Sequence, residues 1–248
     1  MILVLRSILF SILFNVGTFI MSLLIVLSAP FPFKIRLGIG GIWSNIMLFG
    51  LDKLCSLSHE IEGLDNIPDD PYIVMSKHQS TWETISFVNL FFPYVWILKK
   101  ELMYLPIFGW ALLMLKPIAI NRKAGRKAVE QIIEQGQQRL DDGLSVVVFP
   151  EGTRVDPRKK VKFRIGGAIL AENTRAKVIP VAHNAGEFWQ RRKFLIFPGK
   201  IQVHIGEPID TNGKTASEIL AEVEAWMTEH MAIINERYDQ TNPRKYVL

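Results

Sequence analysis

The sequence predicts an α/β protein, a mixed and largely parallel sheet covered by helices, with an N-terminal hydrophobic helical membrane anchor in front of it. Two observations carry this. From about residue 59 onward, short β-branched or aromatic runs alternate with longer stretches of helical periodicity, as when helices cross over between strands. Ahead of them, Ser7 to Ser28 is 22 residues without a charge, bounded by Arg6 and by Pro30, Lys34 and Arg36. As a helix that run covers about 33 Å, close to the hydrocarbon thickness of a bilayer.

The apolar run exceeds the roughly 7 to 15 residues of a signal-peptide core, and no small-x-small cleavage site follows it, so it reads as a retained membrane helix. Ile35 to Leu57 is also apolar but is interrupted by Gly38, Gly40, Gly41, Gly50, Asp52 and Lys53. Its Ile39, Ile42, Trp43, Ile46, Met47 and Phe49 recur at helical spacing, which predicts an amphipathic or interfacial helix. Residues 1–57 are therefore expected to be membrane-anchoring helices and residues 58–248 a folded body.

In the body, Tyr72 to Met75 reads as a strand after the turn-forming Pro68-Asp-Asp-Pro71, and a helix carrying Ile85, Val88 and Asn89 begins near Ser80. Val95 to Leu98 predicts a second strand. Gly125 to Asp142, with Val129, Ile132, Ile133 and Leu140, predicts a helix, and Ser145 to Phe149 a continuous apolar strand. Val178-Ile179 and Lys200 to Ile205 predict further strands, and Thr215 to Arg237 a long amphipathic helix.

Composition removes whole classes. With 248 residues, 49% hydrophobic and 21% charged, the chain is neither disordered nor collagenous, and the lone Cys55 rules out a disulfide scaffold. The mean hydropathy of +0.19 reflects the apolar front. Of 29 Lys and Arg residues only Arg6 precedes the apolar run, which places the body on the cytoplasmic face, of the inner membrane if the cell is bacterial. The basic residues form islands at Lys99-Lys100, 122–127, 158–164 and Arg191-Arg-Lys193. They come without a nucleic-acid-binding motif, so an anionic membrane surface or phosphorylated substrates are the expected partners, not nucleic acid.

Two windows carry chemistry. In the first, Ser76 to Glu83, a strand gives way to a helix, which lets the His78 imidazole meet the Glu83 carboxylate. A carboxylate on one ring nitrogen fixes the tautomer and leaves the other as a base. Ser80-Thr-Trp-Glu83 is equally a capping box, in which Glu83 serves the Ser80 N–H. The second window, Phe149 to Arg154, ends the most strand-like run and sets a glycine turn and a guanidinium at a sheet's carboxyl edge. Arg154 offers a fork suited to phosphate and Thr153 a hydroxyl, though a surface ion pair would use the arginine as well. His59, His183, His204 and His230 lack metal-ligand spacing and read as packed or surface histidines, so no metal is expected.

Together, His78-Gln-Ser-Thr-Trp-Glu83 and Glu151-Gly-Thr-Arg154 resemble the signature of the glycerolipid acyltransferases, above all the bacterial 1-acyl-sn-glycerol-3-phosphate acyltransferases. Lys99 to Gly109, continuing to Ile120-Asn-Arg122, resembles that family's middle block and Val178 to Val181 its last, so four blocks occur in order over about residues 60–210. The resemblance implies an acyltransferase domain over 58–248 that moves an acyl group from a thioester, acyl-CoA or acyl carrier protein, to the sn-2 hydroxyl of lysophosphatidic acid. It implies His78 as general base oriented by Glu83, with no acyl-enzyme, metal or other cofactor. The acceptor's phosphate falls to Arg154, with Thr153 and Gly152 shaping the turn, Arg122 adding a contact and Glu151 organising the loop. The family usually has aspartate at Glu83 and asparagine at Lys77; Lys77 sets a positive charge beside the proposed base. Another lysophospholipid or lyso-aminolipid acceptor, or a non-catalytic lipid-binding protein of the same fold, remain open alternatives at this level.

Overall fold

The computed structural model describes residues 1–121 and 124–241. Two long helices open the chain, α1 (Ile2–Leu27) and α2 (Phe33–Cys55), folded back on one another as a hairpin. The glycines of α2 do not break it, because two glycines allow the close approach of the pair: a Cβ on Gly50 would lie 2.5 Å from Leu13 Cδ2, and one on Gly17 2.7 Å from Met47 Cε. Helix α2 ends at Ser56, in the left-handed region at φ 53°, so Leu57 leaves the predicted helix and starts the sheet.

Among the described residues seven strands follow: β1 (Leu57–Glu62), β2 (Ile73–Ser76), β3 (Tyr94–Lys99), β4 (Ile118–Ile120), β5 (Ser145–Val148), β6 (Val178–His183) and β7 (Gly199–Ile205). Their order is β1-β7-β6-β2-β5-β3-β4, and every pairing is parallel except β6 with β7. The sheet is thus mixed and largely parallel, with helices α3 (Trp82–Leu90), α4 (Phe108–Met114), α5 (Arg126–Asp141), α6 (Gly166–Thr174), α7 (Ala185–Phe188) and α8 (Ala216–Thr241) between and after the strands.

Period-two alternation sends the central strands' side chains to two separate cores. Val74, Val147 and Ile179 face a cluster with Trp82, Ile85 and Phe87 of α3 and Phe10, Met47 and Leu51 of the hairpin. Ile73, Met75, Val146, Val148 and Val178 face the other, with Ile132 of α5, Leu170 of α6 and Ile219 and Val223 of α8. The N-terminal hairpin therefore supplies part of the body's own core.

Helix α1 is the one helix among the described residues long and apolar enough to cross a membrane. It also docks on the body along its length: Ser7 Oγ accepts from Ile196 N at 3.0 Å, and Phe10 and Phe14 pack edge-on against Trp189. Its outward residues, among them Ile8, Ile12, Val16, Phe19, Ile20 and Leu24, stay exposed, as do Ile42 and Phe49 of α2 and Trp110 and Leu113 of α4. So large a continuous apolar surface is what a lipid environment covers.

Candidate active site

Strands β2 and β5 are parallel neighbours in the register Met75↔Val148, so whatever follows each emerges at the same carboxyl edge of the sheet. His78 follows β2 and Glu151-Gly-Thr-Arg154 follows β5, which is why two windows 73 residues apart meet. Val155 N donates to His78 O at 2.7 Å and His78 N donates to Glu151 Oε2 at 2.9 Å, tying the two loops together.

His78 Nδ1 lies 2.8 Å from Glu83 Oε1, and its ring stacks on Phe149 with centroids 3.9 Å apart. The same Glu83 oxygen accepts from Gln79 N and Ser80 N at 2.8 Å each, so the carboxylate serves the start of α3 and the imidazole at once. Glu83 is fully buried and its Oε2 has no hydrogen-bond partner among the described residues. Burial alone would raise its pKa, but the bond from His78, the nearby His183 and His78 and the Ser80 N–H outweigh it and hold the carboxyl below the ordinary range. An ionised Glu83 keeps the proton on Nδ1 and leaves Nε2 as the basic nitrogen.

Lys77, expected to crowd His78 with charge, is directed to Glu151: its Nζ pairs with Glu151 Oε1 and lies 5.8 Å from the Phe163 ring centroid. Glu151 is buried with its side chain turned to Lys77 and to the His78 amide, so it braces the loop and does not line the cavity beside it. Burial pushes its carboxyl up against the pull of Lys77. Gly152 takes φ +70°, the left-handed region that favours glycine, and closes the turn by donating to Phe149 O at 2.9 Å.

Arg154 is half-buried; its Nη1 donates to Thr81 Oγ1 at 2.8 Å, and Arg191 Nη1 donates to the Arg154 carbonyl at 2.9 Å. Burial lowers the Arg154 pKa, Glu83 raises it and Arg191 lowers it again. Arg122 lies outside the described residues. His183, expected to be a packed or surface histidine, is fully buried: Ala185 N donates to its Nδ1 at 3.3 Å, so its Nε2–H donates to Lys77 O, 3.0 Å away. Among the described residues no three His, Cys, Asp or Glu side chains gather as metal ligands.

His78, Thr153, Arg154 and Arg191 share the wall of one cavity of about 670 Å³, within the usual range of ligand pockets. The rest of that wall is mostly apolar: Phe14, Met21 and Ile25 of α1, Trp43 of α2, Ala111 and Leu112 of α4, and the stacked pair Trp96 and Phe149. From Phe14 to Ile25 the helix covers about 16 Å. Sequence reasoning named His78, Glu83 and the Arg154 turn, which the structure brings to one edge of the sheet. It missed Thr81, the Lys77–Glu151 pair and the hairpin's part in the cavity, since each is a contact between segments far apart in the chain; the visible signals were the unusual Lys77 and the basic island at 191–193.

A buried carboxylate–imidazole pair opening on an apolar cavity, with arginines at the same wall, is the equipment of a group-transfer enzyme acting on an amphiphile. The family model described as Acyltransferase matches residues 58–184, and the chain belongs to that family. It is 39% identical over 235 residues, 93% of this chain and 91% of the other, to a Pseudomonas aeruginosa protein named 1-acyl-sn-glycerol-3-phosphate acyltransferase. A chloroplastic protein of Brassica napus with the same activity in its name is 26% identical, over 93% of this chain and 68% of its own. The crystal structure of the 1-acyl-sn-glycerophosphate (LPA) acyltransferase of Thermotoga maritima matches the fold with a TM-score of 0.74, at 23% identity, covering 94% of this chain and 96% of that one.

Proposed function

We propose that this acyltransferase moves a fatty acyl group from an acyl thioester to the free sn-2 hydroxyl of 1-acyl-glycerol-3-phosphate, giving phosphatidic acid. The observation that carries the mechanism is the His78 Nδ1–Glu83 bond at the wall of the apolar cavity. Through Nε2, His78 takes the hydroxyl proton as that oxygen attacks the thioester carbonyl. The tetrahedral intermediate then collapses, the C–S bond breaks, and His78 returns the proton to the departing thiolate. No acyl-enzyme is formed, and neither a metal nor another cofactor takes part. The rate gain expected of such a base is about 10² to 10⁴.

The names of the relatives support lysophosphatidic acid as acceptor, and the Arg154 fork suits its phosphate. Acyl-CoA or acyl carrier protein serves as donor. The basic body sits on the cytoplasmic face of the membrane, in keeping with 28 of 29 Lys and Arg residues following the apolar run. The test is mass spectrometry of products from the purified full chain, offered both donors with a panel of lysolipids. Phosphatidic acid from wild type and its loss in a folded His78→Ala variant are expected. Preferred acylation of a lyso-aminolipid or of a lysophospholipid without a terminal phosphate overturns the acceptor, and an active His78→Ala overturns the base.

A further inference from the structure

The turn between α7 and β7 carries a cation that the motif windows do not include. Arg191 lies beyond the residues matched by the family model, 58–184, yet it shares a cavity wall with His78, Thr153 and Arg154. We propose that Arg191 is a second phosphate-binding cation, set beside Arg154, and that the two together select acceptors ending in a phosphate monoester. This rests on the acceptor reading given above and adds to it the group that grades one acceptor against another.

Three observations carry it. Arg191 Nη1 donates to the Arg154 carbonyl at 2.9 Å, which fixes one arginine on the backbone of the other and, among the described residues, leaves its Nε and Nη2 donors for a ligand. Arg154 is itself held through Nη1 by Thr81 Oγ1, with Nε and Nη2 left over among the described residues. Among the described residues neither guanidinium has a carboxylate within ion-pair distance, whereas Arg158, four residues on, is bonded to both Glu187 and Asp239. Two half-buried like charges side by side oppose one another; the buried Glu83 offsets this for Arg154, and a ligand dianion would relieve it for both.

The turn is also built into the fold. Gln190 O accepts from Lys193 N at 3.2 Å, and Arg192 takes φ +59°, a region side-chain-bearing residues rarely enter. On either side, Trp189 packs on Phe10 and Phe14, and Ile196 N donates to Ser7 Oγ. The turn that bears Arg191 is thus fastened on both sides to the apolar helix α1. A terminal phosphate carries between one and two negative charges near neutral pH and three free oxygens, enough for two guanidinium forks; a phosphodiester headgroup carries one charge and has only two.

Initial rates of the purified full chain on lysophosphatidic acid and on lysophosphatidylglycerol of the same acyl chain test this. Arg191→Gln is expected to raise KM for lysophosphatidic acid at least tenfold, with kcat changed less than threefold and KM for the diester unaltered. Arg191→Lys should recover part of the loss, and Lys193→Gln, which removes a neighbouring charge outside the cavity wall, should change neither KM. Equal losses on both acceptors, or no loss in an Arg191→Gln variant that melts like wild type, overturn the inference alone. A wild-type enzyme that ignores lysophosphatidic acid overturns both it and the acceptor reading.

Discussion

Lys77 and Glu151, 74 residues apart, form an ion pair at the back of the loop that bears His78, and the Glu151 oxygen not facing Lys77 accepts the His78 amide. The pair is nearly dry: the Glu151 side chain is fully covered and that of Lys77 is 13% exposed. It therefore joins the strand end that carries the imidazole to the strand end that carries the arginine.

Removing one partner leaves a buried charge without its counterpart, so Lys77→Ala is expected to cost about 3 kcal/mol in stability. Lys77→Asn, which restores the residue usual in the family, should cost less because its amide still donates. A double-mutant cycle between Lys77→Ala and Glu151→Ala, read by denaturant unfolding, should show strongly non-additive losses. Additive losses would mean that the two groups do not act as one brace.

Glu83 has two duties on one oxygen, and substitution separates them. Glu83→Gln keeps an acceptor for the Gln79 and Ser80 amides but removes the charge opposite His78. A melting temperature close to wild type with kcat reduced about 10²-fold is expected. Glu83→Ala strands both amides and should lower stability by about 1 to 3 kcal/mol as well. An active and stable Gln variant would show that the carboxylate is only a cap.

Burial lowers the pKa of His59, His183, His204 and His230. The unfolded chain takes up protons on these rings near pH 6.5 while the folded chain resists them, so stability is full above that pH and declines below it. Glu83, whose folded pKa is depressed, adds stability that is present above about pH 4.3 and is lost only at lower pH, so the two effects fall in separate windows. Melting temperatures between pH 8 and 5 should fall below pH 6.5, with a shallower slope in His183→Gln. The same slope in that variant would remove His183 as a contributor.

The cavity extends along α1 toward the α1–α2 turn, where Ile25, Leu37 and Leu112 form its wall. If acyl chains lie there, Leu112→Trp should shift the products of a mixed-donor incubation toward shorter chains while leaving the shortest donors well used. An unchanged chain profile by mass spectrometry would place the acyl chain elsewhere.

Gly50 lets α2 approach Leu13 and Phe10 of α1. Gly50→Leu overpacks that contact and should cost about 1 to 3 kcal/mol. Activity and melting temperature are expected to fall together, since the same helices wall the cavity; full activity in a destabilised variant would separate the hairpin from catalysis.

The central strands, the long helices and both chemical windows could be read from the chain because each has a local signature: β-branched runs, helical periodicity, a turn after a strand. What escaped was set by distance or by size. Strand β4 is only three residues and β1 hides behind an apolar helix, so neither has a run long enough to declare itself. Helix α6 begins with Gly166-Gly167, a poor helix-forming pair that gives no helix signal, yet Gly167 packs where a Cβ would lie 2.9 Å from Val148 Cγ1. The antiparallel turn of β6 into β7 and the Arg154–Thr81 bond depend on pairing between segments, and no window of sequence contains both partners.

Because Phe14, Met21 and Ile25 of α1 form one wall of the cavity beside His78 and Phe10 sits in the core of the body, the N-terminal helix is not a tether that can be cut away. A truncated, water-soluble version would keep its imidazole and lose that wall of the cavity. An inhibitor meant to fill this cavity must likewise be lipid-like on one side, since that wall belongs to a helix long and apolar enough to cross a membrane.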